Sequence, residues 1–150
     1  MNSVRRVVTG INPAGRSSIV SDGPASTSWC TEVWATSDDR PLGFEPTEIK
    51  PTLLPPSKGT RWRVVELAPD SALRQMPQGS AVEGVSRDGW HTTNTVDYVL
   101  ILDGDVTLEL DEGKVELHPG DCVVQRATNH AWRNHGSRPV RMVAIMISLD

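Results

Sequence analysis

The sequence predicts an all-β domain, and three observations carry that expectation. Glycine (12 residues) and proline (11) recur along the whole chain. The runs between them are short and rich in Val, Ile, Leu, Thr and Trp. None of them sustains a 3.6-residue apolar period, so strands joined by turns satisfy the pattern better than helices do.

The elements follow in chain order. Residues 6–11 and 17–21 flank Asn12-Pro13-Ala14-Gly15, where proline and glycine sit as a turn requires, so the chain opens on a hairpin. Residues 29–36 give a third strand, with Trp29, Thr31, Val33 and Ala35 on one face. Residues 37–60 read as irregular, broken by Pro41, Gly43, Pro46, Pro51, Pro55, Pro56 and Gly59. Strand returns at 60–67, followed by a turn or two of helix within 70–75, opened by Pro69-Asp70 with Ser71 as its cap.

The C-terminal half is more regular. Strands at 97–102, 105–110 and 114–117 are joined by Asp103-Gly104 and Asp111-Glu112-Gly113, connections that supply the positive φ of tight hairpins. Val106, Leu108 and Leu110 share one face, and Val115 and Leu117 alternate with Lys114 and Glu116, as in half-buried strands. Pro119-Gly120-Asp121 makes a turn, 122–125 a further strand, and 140–147 a last strand apolar on both faces.

At 150 residues the chain is sized for one domain, 1–150, in which 1–60 holds the N-terminal strands and loop and 61–148 the barrel. Its 15 Lys and Arg are scattered among 19 Asp and Glu, which leaves no basic stripe and argues against nucleic acid as partner. No run approaches the roughly 20 apolar residues that span a bilayer. The first ten residues carry Arg5 and Arg6 but no signal-like apolar stretch, so a cytoplasmic location without membrane partners is expected. Cys30 and Cys122 stand far apart in no metal-binding spacing and are expected as free thiols.

Chemistry concentrates in two segments. The first runs Gly89-Trp90-His91-Thr92-Thr93-Asn94-Thr95-Val96-Asp97 and on to Gly104; the second runs from Pro119-Gly120-Asp121 to His130-Ala131-Trp132-Arg133-Asn134. Together they resemble the two motifs of the cupin superfamily over about residues 61–148, the small single-domain conserved-barrel kind. His91 falls at the first motif histidine, Asp97 at its glutamate with Gly104 correctly spaced, His130 at the third histidine and Asn134 at the asparagine. Thr93 stands where the second histidine is expected, and Asp97 is one methylene shorter than glutamate. The resemblance implies a jelly-roll, or double-stranded β-helix, barrel with the N-terminal hairpin as an arm.

In an extended strand, positions 91, 93, 95 and 97 share a face, so His91 and Asp97 both look into the barrel, and a facing strand carrying His130 brings a second imidazole. Two histidines and a carboxylate form a facial triad that suits Fe(II) and also accepts Zn, Mn or Ni, so one divalent metal ion on His91, Asp97 and His130 is the expected cofactor. Burying the Asp97 carboxylate at the head of the apolar run 98–102 without a cation or donors would be costly. Thr93, Trp132 and Arg126 are expected to line the pocket, Arg126 as a partner for an anionic substrate. The bland alternatives stay open: a rim histidine at 91, a turn-capping histidine at 130 and a solvent-exposed Asp97. Function is correspondingly open between two readings. One is a metal-dependent enzyme, an oxidoreductase or lyase acting on a small organic acid, phenol or ketone; dioxygenase, decarboxylase, isomerase and cyclase chemistries are not distinguished. The other is a non-catalytic module that binds or senses a small molecule. The hairpin and the strand after it carry more apolar surface than a free arm needs, so a twofold homodimer is expected, with the first 36 residues packed on the partner's sheet.

Overall fold

The computed structural model describes residues 3–45, 48, 52–75 and 82–150. Among the described residues, twelve strands and one short helix follow one another: β1 (Arg5–Ile11), β2 (Ser17–Pro24), β3 (Ser26–Thr27), β4 (Thr31–Ser37), β5 (Arg40–Phe44) and β6 (Thr60–Leu67) precede α1 (Asp70–Leu73). After it come β7 (Thr95–Asp103), β8 (Val106–Leu110), β9 (Gly113–Leu117), β10 (Cys122–Arg126), β11 (His130–Arg133) and β12 (Val140–Ser148). The all-β expectation holds.

Two sheets make the barrel. The larger has seven strands in the order β10-β7-β12-β6-β4-β3, with β5 on β4; the smaller has three, β11-β8-β9. Strand alternation sends Val99 and Ile101 of β7 and Val140 and Met142 of β12 inward to meet Val106 and Leu108 of β8 and Leu117 of β9, which form one buried cluster. Each such side chain contributes roughly 1.5–3 kcal/mol by leaving water. Gly104, between β7 and β8, has φ +82, and a Cβ there would come within 3.0 Å of the Val140 side chain, so both the turn and the packing demand glycine.

Several expectations need correction. The stretch 37–60 is not wholly irregular: β5 pairs with β4 through Ala35 and Phe44, as an edge strand that tolerates the missing N–H of Pro41. Within that stretch, residues 46, 47 and 49–51 lie outside the described residues. Ser71 does not cap the helix, which follows Pro69 with no side-chain cap. Asp70 instead accepts the Asn134 backbone N–H at 3.1 Å. The N-terminal hairpin forms as expected, β1 on β2, but as a two-stranded sheet of its own. β4, by contrast, pairs with β6 of its own chain.

Candidate metal centre

The site is built where the segment before β7 crosses the start of β11. His91 and His130 form an isolated antiparallel bridge, each donating its backbone N–H to the other's carbonyl at 3.0 Å. That pairing sets the two rings side by side, centroids 4.1 Å apart and planes inclined at 55°. His91 Nδ1 lies 3.0 Å from the Gly89 carbonyl, and His130 Nδ1 lies 2.9 Å from the Thr128 carbonyl. A carbonyl only accepts, so Nδ1 carries the proton and, in the neutral ring, Nε2 keeps its lone pair on both histidines. This is the tautomer that imidazole ligands adopt when backbone carbonyls orient them. His130 is 3% exposed. Burial, with the neighbouring His91 adding to it and the Thr128 carbonyl opposing, pulls its pKa down to about 4, so the ring is neutral at pH 7.

The alternation read from the sequence is realised: Thr93, Thr95 and Asp97 are all buried, while His91 at the start of the row is half-buried. The Thr93 and Thr95 hydroxyls are hydrogen-bonded at 2.7 Å. Asp97 is 7% exposed, and its Oδ1 has no hydrogen-bond partner. Burial holds its pKa above the usual carboxylate range, against the opposing pull of Thr95, His91 and Arg63. In donor chemistry these groups fit a divalent ion: two imidazole Nε2 atoms and one orphaned carboxylate oxygen. Among the described residues, no three His, Cys, Asp or Glu side chains stand together as a ligand set. The structure thus assembles the histidine pair and leaves the short Asp97 side chain outside it.

Trp132 meets the His130 ring edge-on, centroids 6.2 Å apart, and also packs against the apolar cluster, so it is both pocket wall and core. Arg126 pairs with Val96, one residue out of phase with Asp97, and is exposed. It borders an open groove of about 340 Å³ lined also by Leu108, Val123, Gln125 and Thr128. Asn134 is a structural residue. Buried, it donates to the carbonyls of Leu67 and Arg138 at 2.9 and 2.8 Å and accepts the Gly136 N–H at 3.0 Å. Cys30 is buried and Cys122 exposed, both free thiols; burial raises the Cys30 thiol to about 12.

Sequence reading missed the charged interior. Arg61 and Arg63 of β6 are 2% and 1% exposed. Both reach Glu32 Oε1 of β4, Arg61 from Nη1 at 3.0 Å and Arg63 from Nε at 2.7 Å. Arg63 also donates to the Thr52 and Leu53 carbonyls, and its guanidinium lies 5.0 Å from the Trp29 ring centroid. Gln125, opposite Asp97, is buried and donates to the Thr128 hydroxyl, which steadies the carbonyl that orients His130. The available signal was the spacing of Arg61 and Arg63, which puts both on one face of β6.

Residues 76–146 match the family model described as Cupin domain. Oryzines biosynthesis cluster protein J of Aspergillus oryzae is 44% identical over 62 residues, 41% of this chain and 34% of that protein. A cupin-domain-containing oxidoreductase, srdD of Neurospora crassa, is 35% identical over 81 residues, 51% of this chain and 39% of that one. The chain spans about a third of the length of the curated relatives it matches. A cupin family protein with a double-stranded β-helix fold from Methanocaldococcus jannaschii superposes with TM-score 0.45 at 17% identity, over 61% of this chain and 72% of that one.

Proposed function

Since this chain belongs to the cupin superfamily, its cupin domain lying at residues 76–146, we propose that it is a metal-dependent small-molecule enzyme of the oxidoreductase kind, with His91 and His130 holding one divalent ion and Asp97 as the nearby carboxylate charge. One observation carries the reading: two buried or half-buried imidazoles face each other with both Nδ1 atoms committed to carbonyls. A histidine serving only the core has no need of a paired, unprotonated Nε2. The name cupin-domain-containing oxidoreductase, borne by several relatives, supports the reaction class. A bound Fe, Zn, Mn or Ni ion would supply Lewis acidity toward a substrate oxygen or, for iron, one-electron chemistry.

The chain's own residues have separable tasks. His130, neutral at working pH, offers a donor without first losing a proton. Asp97 supplies the negative charge that a divalent ion needs in a dry interior. Thr93 and Thr95 give hydroxyls beside it, and Trp132 closes the wall next to His130. The substrate class that suits this interior is a small organic acid, phenol or ketone.

Metal content measured on purified wild type and His130→Ala tests the reading. Loss of one ligand from a preformed cavity lowers affinity and leaves the core intact, so metal per chain is expected to fall at least roughly tenfold with the circular dichroism unchanged. Equal content in both proteins contradicts it. A second reading, a non-catalytic binding cupin, is favoured by Thr93, whose hydroxyl is engaged with Thr95 where the family carries an imidazole. Oxygen uptake by iron-loaded protein with phenolic and keto acids separates the two.

A further inference from the structure

We propose that Gln125 is a positioning residue for the metal centre: through Thr128 it holds the His130 ring in the tautomer that leaves Nε2 free for an ion. The proposal rests on the reading of His130 as a ligand and adds to it the side chain that keeps that ligand preset.

The turn between β10 and β11 needs such a restraint. Ala127 stands there in the left-handed region, φ 49, a conformation that an L-residue leaves unless its surroundings hold it. Relaxation at Ala127 would swing the next carbonyl, that of Thr128, which takes the His130 Nδ1 proton at 2.9 Å. A neutral imidazole that loses this acceptor exchanges its proton between the two nitrogens, and in the Nε2-protonated form the lone pair a metal needs is gone.

Gln125 is placed to prevent this. It is buried, and it is the register partner of Asp97 across β10 and β7. Its Nε2 donates to the Thr128 hydroxyl and lies 3.5 Å from the Thr128 carbonyl oxygen, whose two lone pairs serve Gln125 and His130 together. Other ties of this turn act on its neighbours: the Ala127 N–H reaches the Thr95 carbonyl at 3.0 Å, and Asn129 donates to Asp111 at 2.8 Å. An amide suits the place beside Asp97, because it donates without adding a charge to the interior.

Nitrogen-15 NMR of the metal-free full chain at neutral pH reads the tautomers directly. In wild type His130 is expected as the single Nδ1-protonated form. Gln125→Leu, which fills the volume and cannot donate, and Thr128→Val, which lacks the hydroxyl, are each expected to give a mixture, whereas Thr128→Ser keeps the single form. His91 is the internal control: its Nδ1 meets the Gly89 carbonyl in another loop, and it is expected to stay unchanged. Cobalt affinity is expected to fall at least roughly tenfold in Gln125→Leu, no further in the double variant with Thr128→Val, and not at all in Thr128→Ser. A residue that merely fills the core would lower stability and leave ring and affinity alone. A His130 ring that is mixed in wild type or stays single in Gln125→Leu overturns the proposal, and so does equal cobalt affinity in those two proteins. The spectra need no metal, so a wild type that binds no cobalt would end the ligand reading while the tautomers still decide whether Gln125 positions the ring.

Discussion

Ala127 holds a left-handed backbone, φ 49, in the turn between β10 and β11 that delivers His130, and its N–H is tied to the Thr95 carbonyl at 3.0 Å. An L-residue there is strained by roughly 1–2 kcal/mol, while glycine would add roughly 0.4–1 kcal/mol of unfolded-chain entropy to be lost. Ala127→Gly is therefore expected to stabilise the fold by roughly 0.5–1 kcal/mol in urea unfolding, and a loss of stability would contradict this reading of the turn. His130 gives the protein a pH dependence with a definite sign. Its pKa falls from 6.5 to about 4 on folding, so the unfolded chain binds the proton more readily between those values. The stabilising contribution is complete above pH 6.5 and is lost as pH falls toward 4, on the order of 3 kcal/mol in all. In metal-free His130→Gln, the acid-side loss of stability is expected to shrink by that order, measured as urea midpoints at pH 7 and 4.5; an unchanged slope counts against the buried neutral ring. That Thr93, Thr95 and Asp97 share a buried face was legible in the sequence because parity sets which face a strand residue takes, whereas the meeting of His91 with His130 followed from the motif resemblance.

Strand β6 teaches the reverse lesson. Apolarity suggests that Trp62 faces the core and Arg61 and Arg63 face water, yet Trp62 is 44% exposed and both arginines are buried. What decides is the partner strand: Glu32 of β4 lies opposite Arg63, and no local pattern announces a carboxylate that arrives from 29 residues upstream of Arg61. The same limit hid β5, whose Pro41 reads as a breaker until its edge position is known. Its Gly43 accommodates the Trp34 indole, where a Cβ would stand 1.9 Å from Nε1. Glu32→Gln is expected to remove the buried carboxylate that Arg61 and Arg63 share and to cost roughly 3–5 kcal/mol of stability. A change under about 1 kcal/mol in the urea unfolding free energy would show that water, not Glu32, neutralises that cluster.

At the scale of the molecule, the two-sheet barrel was legible because the C-terminal hairpins announce their turns and the motif residues fall at fixed spacing, whereas assembly was not. β4 is used within its own sheet, so the hairpin of β1 and β2 is what remains for a partner. Val7, Ile11 and Ile19 stand exposed on it, while Arg6 ties it to the Trp34 ring of β4 and to Glu45. We propose a twofold homodimer through this arm. Light scattering is expected to give twice the chain mass for wild type and one chain mass for Ile11→Asp with Ile19→Asp; a wild type that stays monomeric at high concentration ends the idea. No described helix is long and apolar enough to cross a membrane. Everything proposed for catalysis depends on whether His91 and His130 ligate one ion, and X-ray absorption on protein loaded with one equivalent of cobalt reads the ligands themselves. Two imidazole nitrogens at roughly 2.0–2.1 Å, together with oxygen donors, are the predicted shell; a shell of oxygen alone, or one unchanged by His130→Ala, would contradict it.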